Sequence, residues 1–366
     1  MAVISWKSWV PILSWIIGWI NTAGWVALTA TGGLLGSQLI VGVISFMSQS
    51  YSPQRWHQFL IYIGYNLFAF LVNAFMSTLL PIIDKAAFIW SISGFAIICI
   101  TVLACASPNF ESGNFVFRQF INQTGWPDGL AWLLGLLQGG LGLTGFDAVA
   151  HMIEEIPQPS VVGPKIMIAC VGIGLGTGFV FLTVLLFVLK DVDTVISSAA
   201  GPVLQIFYDA TNNRAGSICL LMFPLICLLF ATCAIMTTSS RMTYAFARDG
   251  GLPFSRVFAK VNTRLDVPLH ALYLNVVLVV IFGCIFLGSS SAFNAIVSAS
   301  VVALGITYAT PPAINCLRGR KMLPETRYFV LPGPMGWICN IVRQCFLIFS
   351  NHSLTVQPRS GFSTRY

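Results

Sequence analysis

The sequence predicts an all-α polytopic membrane protein, and its composition, hydropathy and pattern of apolar runs support that fold class. Of the 366 residues, 56% are hydrophobic and only 8% are charged, whereas soluble domains carry about 25% charged residues. The mean hydropathy of +0.82 leaves too little polar surface to keep a soluble chain dispersed, so lipid must surround most of it. The alternating strands of a membrane barrel are not visible.

The apolar runs predict eight transmembrane helices and a weaker ninth, because one crossing needs roughly 20 apolar residues. The predicted spans are 9–48, 57–80, 87–106, 129–151, 166–189, 216–240, 267–288 and 292–315, with the weaker one near 331–350. The first run is too long for one straight crossing, so either TATGG at 29–33 bends it or the helix is steeply tilted. We expect one transmembrane domain over 1–350 and a polar tail over 351–366.

The basic residues predict the orientation of the bundle, because cytoplasmic loops carry an excess of Lys and Arg. With a cytoplasmic N-terminus, twelve basic residues fall on the inner side and four on the outer side. The inner set is Lys7, Lys85, Lys165, Arg241, Arg248, Arg256, Lys260, Arg264, Arg318, Arg320, Lys321 and Arg327, and the outer set is Arg55, Arg118, Lys190 and Arg214. We expect an integral protein of the plasma membrane. The net charge of +7 then reflects topology and does not indicate nucleic-acid binding.

The polar loop over 107–128 lies on the predicted outer side and contains the sequon Asn122-Gln123-Thr124. Asn122 is therefore a candidate for N-linked glycosylation, on a short pattern that also occurs often by chance. The ten cysteines are scattered, mostly inside spans and with no CxxC pair, so we interpret them as small apolar packing residues.

The span 129–151 has the features of a site. Its glycines at 139, 140 and 142 each lower helix propensity by about 1 kcal/mol, and placing Asp147 inside the bilayer costs roughly 2.5–3.5 kcal/mol. A helix that unwinds here exposes N–H and C=O groups that can bind the charged ends of a small solute, as in secondary transporters. The alternative is a close helix-packing face, which the spacing of Gly135, Gly139 and, in part, Gly142 would suit.

The ionisable residues after this segment allow two further interpretations. His151, Glu154 and Glu155 follow Asp147 on roughly one helical face, but no second helix with ligands is visible, so no metal is predicted. A helix end with a titratable gate is the preferred interpretation. An intramembrane aspartyl protease would need two deep aspartates, and only Asp147 lies deep. Phosphate-binding, nucleotide and nucleophile motifs are not recognisable, so neither an enzyme nor a cofactor is predicted.

Three segments resemble the amino acid–polyamine–organocation permeases, and most closely the fungal amino acid, GABA and choline permeases. TGFDAVAHMIEEIPQPSVVGPK at 144–165 resembles the sixth helix and the following loop. SSRMTYAFARDGGLPFSRVFAKVN at 239–262 resembles the end of the eighth helix, and SWIIGWINTAGWVAL at 14–28 resembles the third helix. The match at 239–262 is specific, because it needs five residues in order: Arg241, Arg248, Asp249, Gly250 and Pro253.

The resemblance implies a partial LeuT-like inverted-repeat bundle. The complete family has two related sets of five helices plus two more, and its first and sixth helices are broken around a central site. With 129–151 as the sixth helix, this chain matches helices three to eleven, and helices one, two and twelve are absent from it. We therefore expect a chain truncated at both ends, as a fragmentary gene model or a splice form. The glycine-rich first helix, which holds a substrate carboxylate in the family, is not in this sequence.

The resemblance also implies secondary active transport of amino acids or small amines, such as choline or GABA, by alternating access across the lipid bilayer. The substrate would contact the broken helix at Gly142, Thr144, Gly145, Phe146 and Asp147. Facing positions, ranked by polarity and depth, are Asn21, Trp25, Cys233, Thr237, Asn294 and Ser298, for which contacts between helices are the alternative role. Phe146 or Trp25 could stack on a cationic amine.

Proton coupling is open, because some relatives place a lysine in the fifth helix and the span 87–106 holds none. The candidate proton carriers or gate residues are Asp147, His151 and Glu154. A competing hypothesis is an inactive fragment, or a non-transporting membrane subunit or sensor derived from such a permease.

Overall fold

The computed structural model describes residues 4–48, 50–122, 124–323 and 327–355. The helices of these residues are α1 (Val10–Met47), α2 (Arg55–Phe75), α3 (Leu80–Ala106), α4 (Gly113–Arg118), α5 (Asp128–Leu141), α6 (Ala148–His151), α7 (Pro159–Val188), α8 (Val192–Ser197), α9 (Pro202–Thr211), α10 (Arg214–Arg248), α11 (Ser255–Phe258), α12 (Leu269–Gly288), α13 (Ser290–Leu317) and α14 (Gly333–Thr355). Two 3-10 turns, Ser77–Leu79 and Ile153–Glu155, precede α3 and follow α6. In the described part of the chain, β-pairing is confined to one bridge between Asn262 and Val267. The predicted all-α fold class is confirmed.

Seven segments of the described residues are long and apolar enough to cross a membrane. They are Val10–Met47, Arg55–Phe75, Ser77–Ala106, Pro159–Val188, Arg214–Arg248, Leu269–Gly288 and Ser300–Leu317. Each corresponds to one predicted span. The predicted span 129–151 is divided between α5 and α6, and α14 covers most of the weaker span near 331–350.

The first helix lies at the centre of the bundle. It runs for 38 residues without interruption, which is about 57 Å at the α-helical rise, and it contacts α2, α10, α12 and α13. Glycines along it let those helices approach closely. A Cβ on Gly32 would lie 2.6 Å from Thr232 Oγ1 of α10, and a Cβ on Gly24 would lie 2.9 Å from Leu304 of α13. TATGG therefore serves helix packing and does not break the helix.

Polar side chains join the other long helices. Asn73 of α2 accepts a hydrogen bond from Thr237 Oγ1 at 2.5 Å and donates one to the Cys233 carbonyl at 3.0 Å, both in α10. Tyr62 of α2 donates to the Val279 carbonyl of α12 at 2.7 Å. Hydrogen bonds of this kind between membrane helices contribute about 0.6–2 kcal/mol each. They fix α2 against its two neighbours.

The basic segment 241–267 forms a helix extension followed by a surface turn. The extension is the end of α10, which continues to Arg248. Gly250 then adopts φ +77°, a conformation that glycine adopts readily. The short helix α11 follows, and the bridge between Asn262 and Val267 closes the loop before α12.

Candidate functional site

The helix predicted to break near Gly145 is interrupted there. α5 ends at Leu141, residues 142–147 form turns, and α6 begins at Ala148. Gly145 has φ +94°, and among the described residues a Cβ on it would meet only Trp25 Cη2, at 3.8 Å. Backbone conformation and not lack of space therefore demands glycine at this position. The chain bends out of the helical hydrogen-bond pattern just before the acidic residue of the site.

Asp147 lies at the end of this turn and is buried, with 8% of its surface exposed. Its Oδ1 accepts a hydrogen bond from the Tyr308 hydroxyl of α13 at 2.5 Å. Its Oδ2 lies 3.0 Å from Nε2 of His151, one helical turn further on. Burial of a carboxylate is unfavourable unless it is paired or hydrogen-bonded. These two contacts meet that requirement and connect α6 with α13.

The ring of His151 also meets the first helix. Asn21 Nδ2 lies 3.3 Å from His151 Nε2, and the Trp25 ring packs edge-on against the imidazole with centroids 5.6 Å apart at 86°. The result is a connected row of polar groups from Tyr308 through Asp147 and His151 to Asn21. It spans three helices that are far apart in sequence.

Two polar atoms of α1 beside this row have no hydrogen-bond partner among the residues that the structure describes. They are Asn21 Oδ1 and Trp25 Nε1, on side chains that are 8% and 1% exposed. A buried polar atom left unpaired costs about 1–3 kcal/mol. The two atoms lie one helical turn apart, next to the helix break. A small polar ligand at the break would find one acceptor and one donor there.

Aromatic rings line the same region. Phe146, in the turn, packs against Tyr308 with centroids 5.0 Å apart and an angle of 47° between the rings. Trp25 approaches Gly145 from the opposite helix. Together with the carboxylate of Asp147, these rings provide the groups that attract an organic cation.

Comparison with known protein families shows which family the chain belongs to. The family model for amino acid permeases matches residues 3–363. The chain belongs to the amino acid permease family. The resemblance to the amino acid–polyamine–organocation permeases is thereby confirmed, as is the prediction of an integral membrane protein. The family consists of permeases and contains transporters, not enzymes.

Three relatives give the range of this similarity. The chain is 32% identical to the choline transporter of Saccharomyces cerevisiae over 92% of its own length and 60% of the transporter's. It is 29% identical to the amino-acid permease BAT1 of Arabidopsis thaliana, over 92% of the chain and 68% of the relative. It is 29% identical to amino-acid permease 2 of Neurospora crassa, over 85% of the chain and 58% of the relative. The permease chain thus spans about three fifths to two thirds of these relatives.

Of the other predicted site residues of this permease, two take part in a contact between helices. The hydroxyl of Thr237 donates to Asn73 and to the Cys233 carbonyl, so Thr237 and Cys233 take part in the contact between α2 and α10. Ser298 and Thr144 are half-buried, and Gly142 is exposed. The side chain of Asn294 lies outside the described part of the structure.

Glu154, the other residue predicted as a gate, lies in the 3-10 turn that follows α6. Glu154 is exposed and accepts two hydrogen bonds from Arg248 of α10. These hydrogen bonds hold the pKa of the Glu154 carboxyl below its usual range.

In the described residues no group of three or more His, Cys, Asp and Glu side chains is placed to hold a metal ion.

Asn122, the predicted glycosylation residue, is half-buried in the loop before α5. Its Nδ2 donates to the Trp126 carbonyl at 2.6 Å and to Asp128 Oδ1 at 2.8 Å. Thr124 Oγ1 donates to Asn122 Oδ1 at 2.7 Å. The amide nitrogen that a glycan would join is thus engaged within its own loop.

Sequence reasoning missed Tyr308 and Arg248. Tyr308 lies in an apolar span, where a hydroxyl needs a partner. That requirement was the available signal. The partner of Tyr308 is Asp147, 161 residues away, and sequence spacing could not predict that contact.

Proposed function

We propose that this chain carries an amino acid or small amine across a membrane by secondary active transport with alternating access. The observation that carries the proposal is the interrupted helix at 142–147 beside the buried Asp147 and the two unpartnered atoms of α1. Exposed backbone at mid-membrane is the usual design of transporter binding sites. Relatives named as a choline transporter and as amino-acid permeases support this class of cargo.

The proposed site matches a cargo with a cationic end and a polar end. The ammonium group would lie near the Asp147 carboxylate and the rings of Phe146 and Trp25, which attract cations. The polar end would meet Asn21 Oδ1, Trp25 Nε1 and the backbone of the turn, which includes Gly142, Thr144 and Gly145. Ser298 and Asn294 of α13 are retained as proposed contacts. Thr237 is the weakest proposed contact, because Asn73 occupies its hydroxyl.

Proton coupling is a second element of the proposal. Asp147 and His151 share a hydrogen bond at 3.0 Å, so a proton held between them would alter the charge that the cargo meets. Glu154 fits a gate better than a proton carrier. Its hydrogen bonds from Arg248 lower the pKa of the carboxyl and favour the ionised form.

Uptake into vesicles tests the function. The purified chain is reconstituted and supplied with labelled choline, GABA and basic amino acids. We expect saturable uptake of at least one cargo, which is lost in Asp147→Asn and in Gly145→Leu and kept in Gly172→Leu. Gly172 lies in α7 with open space around it, so it controls for the added side chain. If neither Asp147→Asn nor Gly145→Leu reduces uptake, the proposed site is overturned.

A non-transporting membrane subunit or sensor is the second candidate function. Such a protein would bind cargo without moving it. A cargo that raises the melting temperature of the purified chain but never accumulates in vesicles would support the sensor and contradict transport.

The proposed orientation places the N-terminus in the cytoplasm and the 107–128 loop outside, at the plasma membrane. Glycosidase treatment of protein made in a eukaryotic host tests it. We expect a mobility shift for the wild type and none for Asn122→Gln. A glycosidase shift that persists in Asn122→Gln, or wild-type protein without a glycan, would contradict the glycosylation proposal.

A further inference from the structure

The segment that follows the helix break is joined to α10 by an ion pair at the end of the bundle. Glu154 lies in the 3-10 turn Ile153–Glu155, and Arg248 is the last residue of α10. Arg248 NH1 lies 3.2 Å from Glu154 Oε2, and NH2 lies 3.0 Å from Oε1. Two parallel hydrogen bonds of this kind fix the relative orientation of the two groups as well as their separation.

The two partners are held very differently. The Arg248 guanidinium lies 5.9 Å from the centre of the Tyr244 ring, and its Nε lies 4.0 Å from Asp249 Oδ1. The arginine is therefore positioned by its own helix of 35 residues. Glu154 belongs to a piece of chain whose helical parts contain only four and three residues. Helical pieces this short have little stability of their own.

The ion pair lies where solvent reaches it. The side chain of Arg248 is 46% exposed and that of Glu154 is 72% exposed. Exposed ion pairs are weak, because water screens them and ordering two long side chains opposes them. A weak but well-oriented contact suits an element that must break and re-form in every transport cycle. The buried Asp147 and the half-buried His151 lie directly before Glu154 in the chain.

We propose that the Glu154–Arg248 ion pair is a latch that holds the 148–155 segment against α10 and closes this end of the cargo path. This inference rests on the proposed transport function. By the proposed orientation, the latch closes the cytoplasmic end. It opens when the segment moves away from α10 to release cargo, and the two charges then face water.

Charge exchange tests the pairing. Glu154→Arg or Arg248→Glu places like charges opposite each other, and the double variant Glu154→Arg/Arg248→Glu restores opposite charges. We expect each single variant to change the maximal uptake rate by about two- to fivefold and the double variant to return close to wild type. Arg256→Glu, on α11 outside the pair, controls for the change in net charge. A double variant no closer to wild type than its parents would overturn the latch.

Cross-linking tests whether the contact must open. Glu154→Cys/Arg248→Cys protein is treated with a short reducible bifunctional thiol reagent, with each single-cysteine variant as the control for the native cysteines. When nine-tenths of the molecules are linked, we expect uptake to fall about tenfold, because a latched molecule cannot change state. Reduction should restore it. Linked molecules that transport normally would overturn the latch alone, whereas an unlinked wild type without uptake overturns the proposed function and the latch with it.

Discussion

The phenolic oxygen of Tyr308 lies 2.5 Å from Oδ1 of Asp147 and joins α13 to the chain that follows the helix break. The second carboxylate oxygen lies 3.0 Å from His151 Nε2. Both oxygens of this buried acid therefore have protein partners, as a carboxylate away from water requires. The two contacts hold the carboxylate in a fixed position at the end of the turn that interrupts the helix.

Removal of the Tyr308 hydroxyl tests the first of these contacts. Tyr308→Phe leaves Oδ1 of a buried carboxylate without its donor, so we expect a loss of about 1–3 kcal/mol in the free energy of unfolding and a higher KM for cargo. Thermal unfolding in detergent and initial uptake rates measure the two effects. Tyr273→Phe, at an exposed ring, should change neither. Wild-type stability and KM in Tyr308→Phe would contradict the importance of the bond.

A side chain at Gly145 tests the backbone conformation of the break. With φ +94°, Gly145→Ala should lower the free energy of unfolding by about 1–2 kcal/mol, because L-residues avoid this region. Gly172→Ala in α7 should instead raise it by about 0.5–1 kcal/mol, since alanine favours a helix. Denaturation of the two variants side by side gives the comparison. Equal changes in the free energy of unfolding, with the same sign, would show that position 145 does not need a positive φ.

The indole nitrogen of Trp25 is predicted to serve cargo and not the fold. Trp25→Phe keeps an aromatic ring but removes Nε1–H, which has no partner in the described residues. Because Trp25 is 1% exposed, the smaller ring leaves a cavity, and we expect a loss of about 1–3 kcal/mol in the free energy of unfolding together with a roughly tenfold weaker affinity for cargo with a carboxylate or hydroxyl. A calorimetric or scintillation assay measures the affinity. An unchanged affinity in Trp25→Phe would contradict a contact between cargo and the indole N–H.

Thr237 is predicted to act on stability. Thr237→Val removes the hydroxyl that donates to Asn73 Oδ1, so the free energy of unfolding should fall by about 1–2 kcal/mol. The KM for cargo should stay within about twofold of wild type. Melting curves and uptake kinetics of the same preparation separate the two effects. A large rise in KM without a loss of stability would show that Thr237 acts on cargo and not on stability.

The helix break was the part of the site most open to prediction from sequence. Closely spaced glycines before Asp147 weaken a helix, and an acid inside a membrane span calls for partners. The partners themselves could not be predicted, because Tyr308 lies 161 residues away and Arg248 lies 94 residues from Glu154. Their positions depend on how the helices pack.

Polarity and depth alone do not separate residues that face cargo from residues that join two helices. They selected Asn21 and Trp25, which do lie beside His151, but also Thr237, whose hydroxyl bonds to Asn73. In a membrane interior, a polar side chain forms a hydrogen bond with a neighbouring helix as readily as with a ligand. Only the packing of α1, α2 and α10 separates the two roles.

The most direct test of the site is equilibrium binding of labelled choline, GABA and lysine to the purified chain and to Asp147→Asn. Asp209→Asn on α9 is the matched control for loss of one acid. We predict saturable binding of at least one cargo to the wild type and the control, and about tenfold weaker binding to Asp147→Asn, because a charge-assisted contact is lost. Binding of the same affinity to Asp147→Asn and wild type would contradict a cargo site at the helix break.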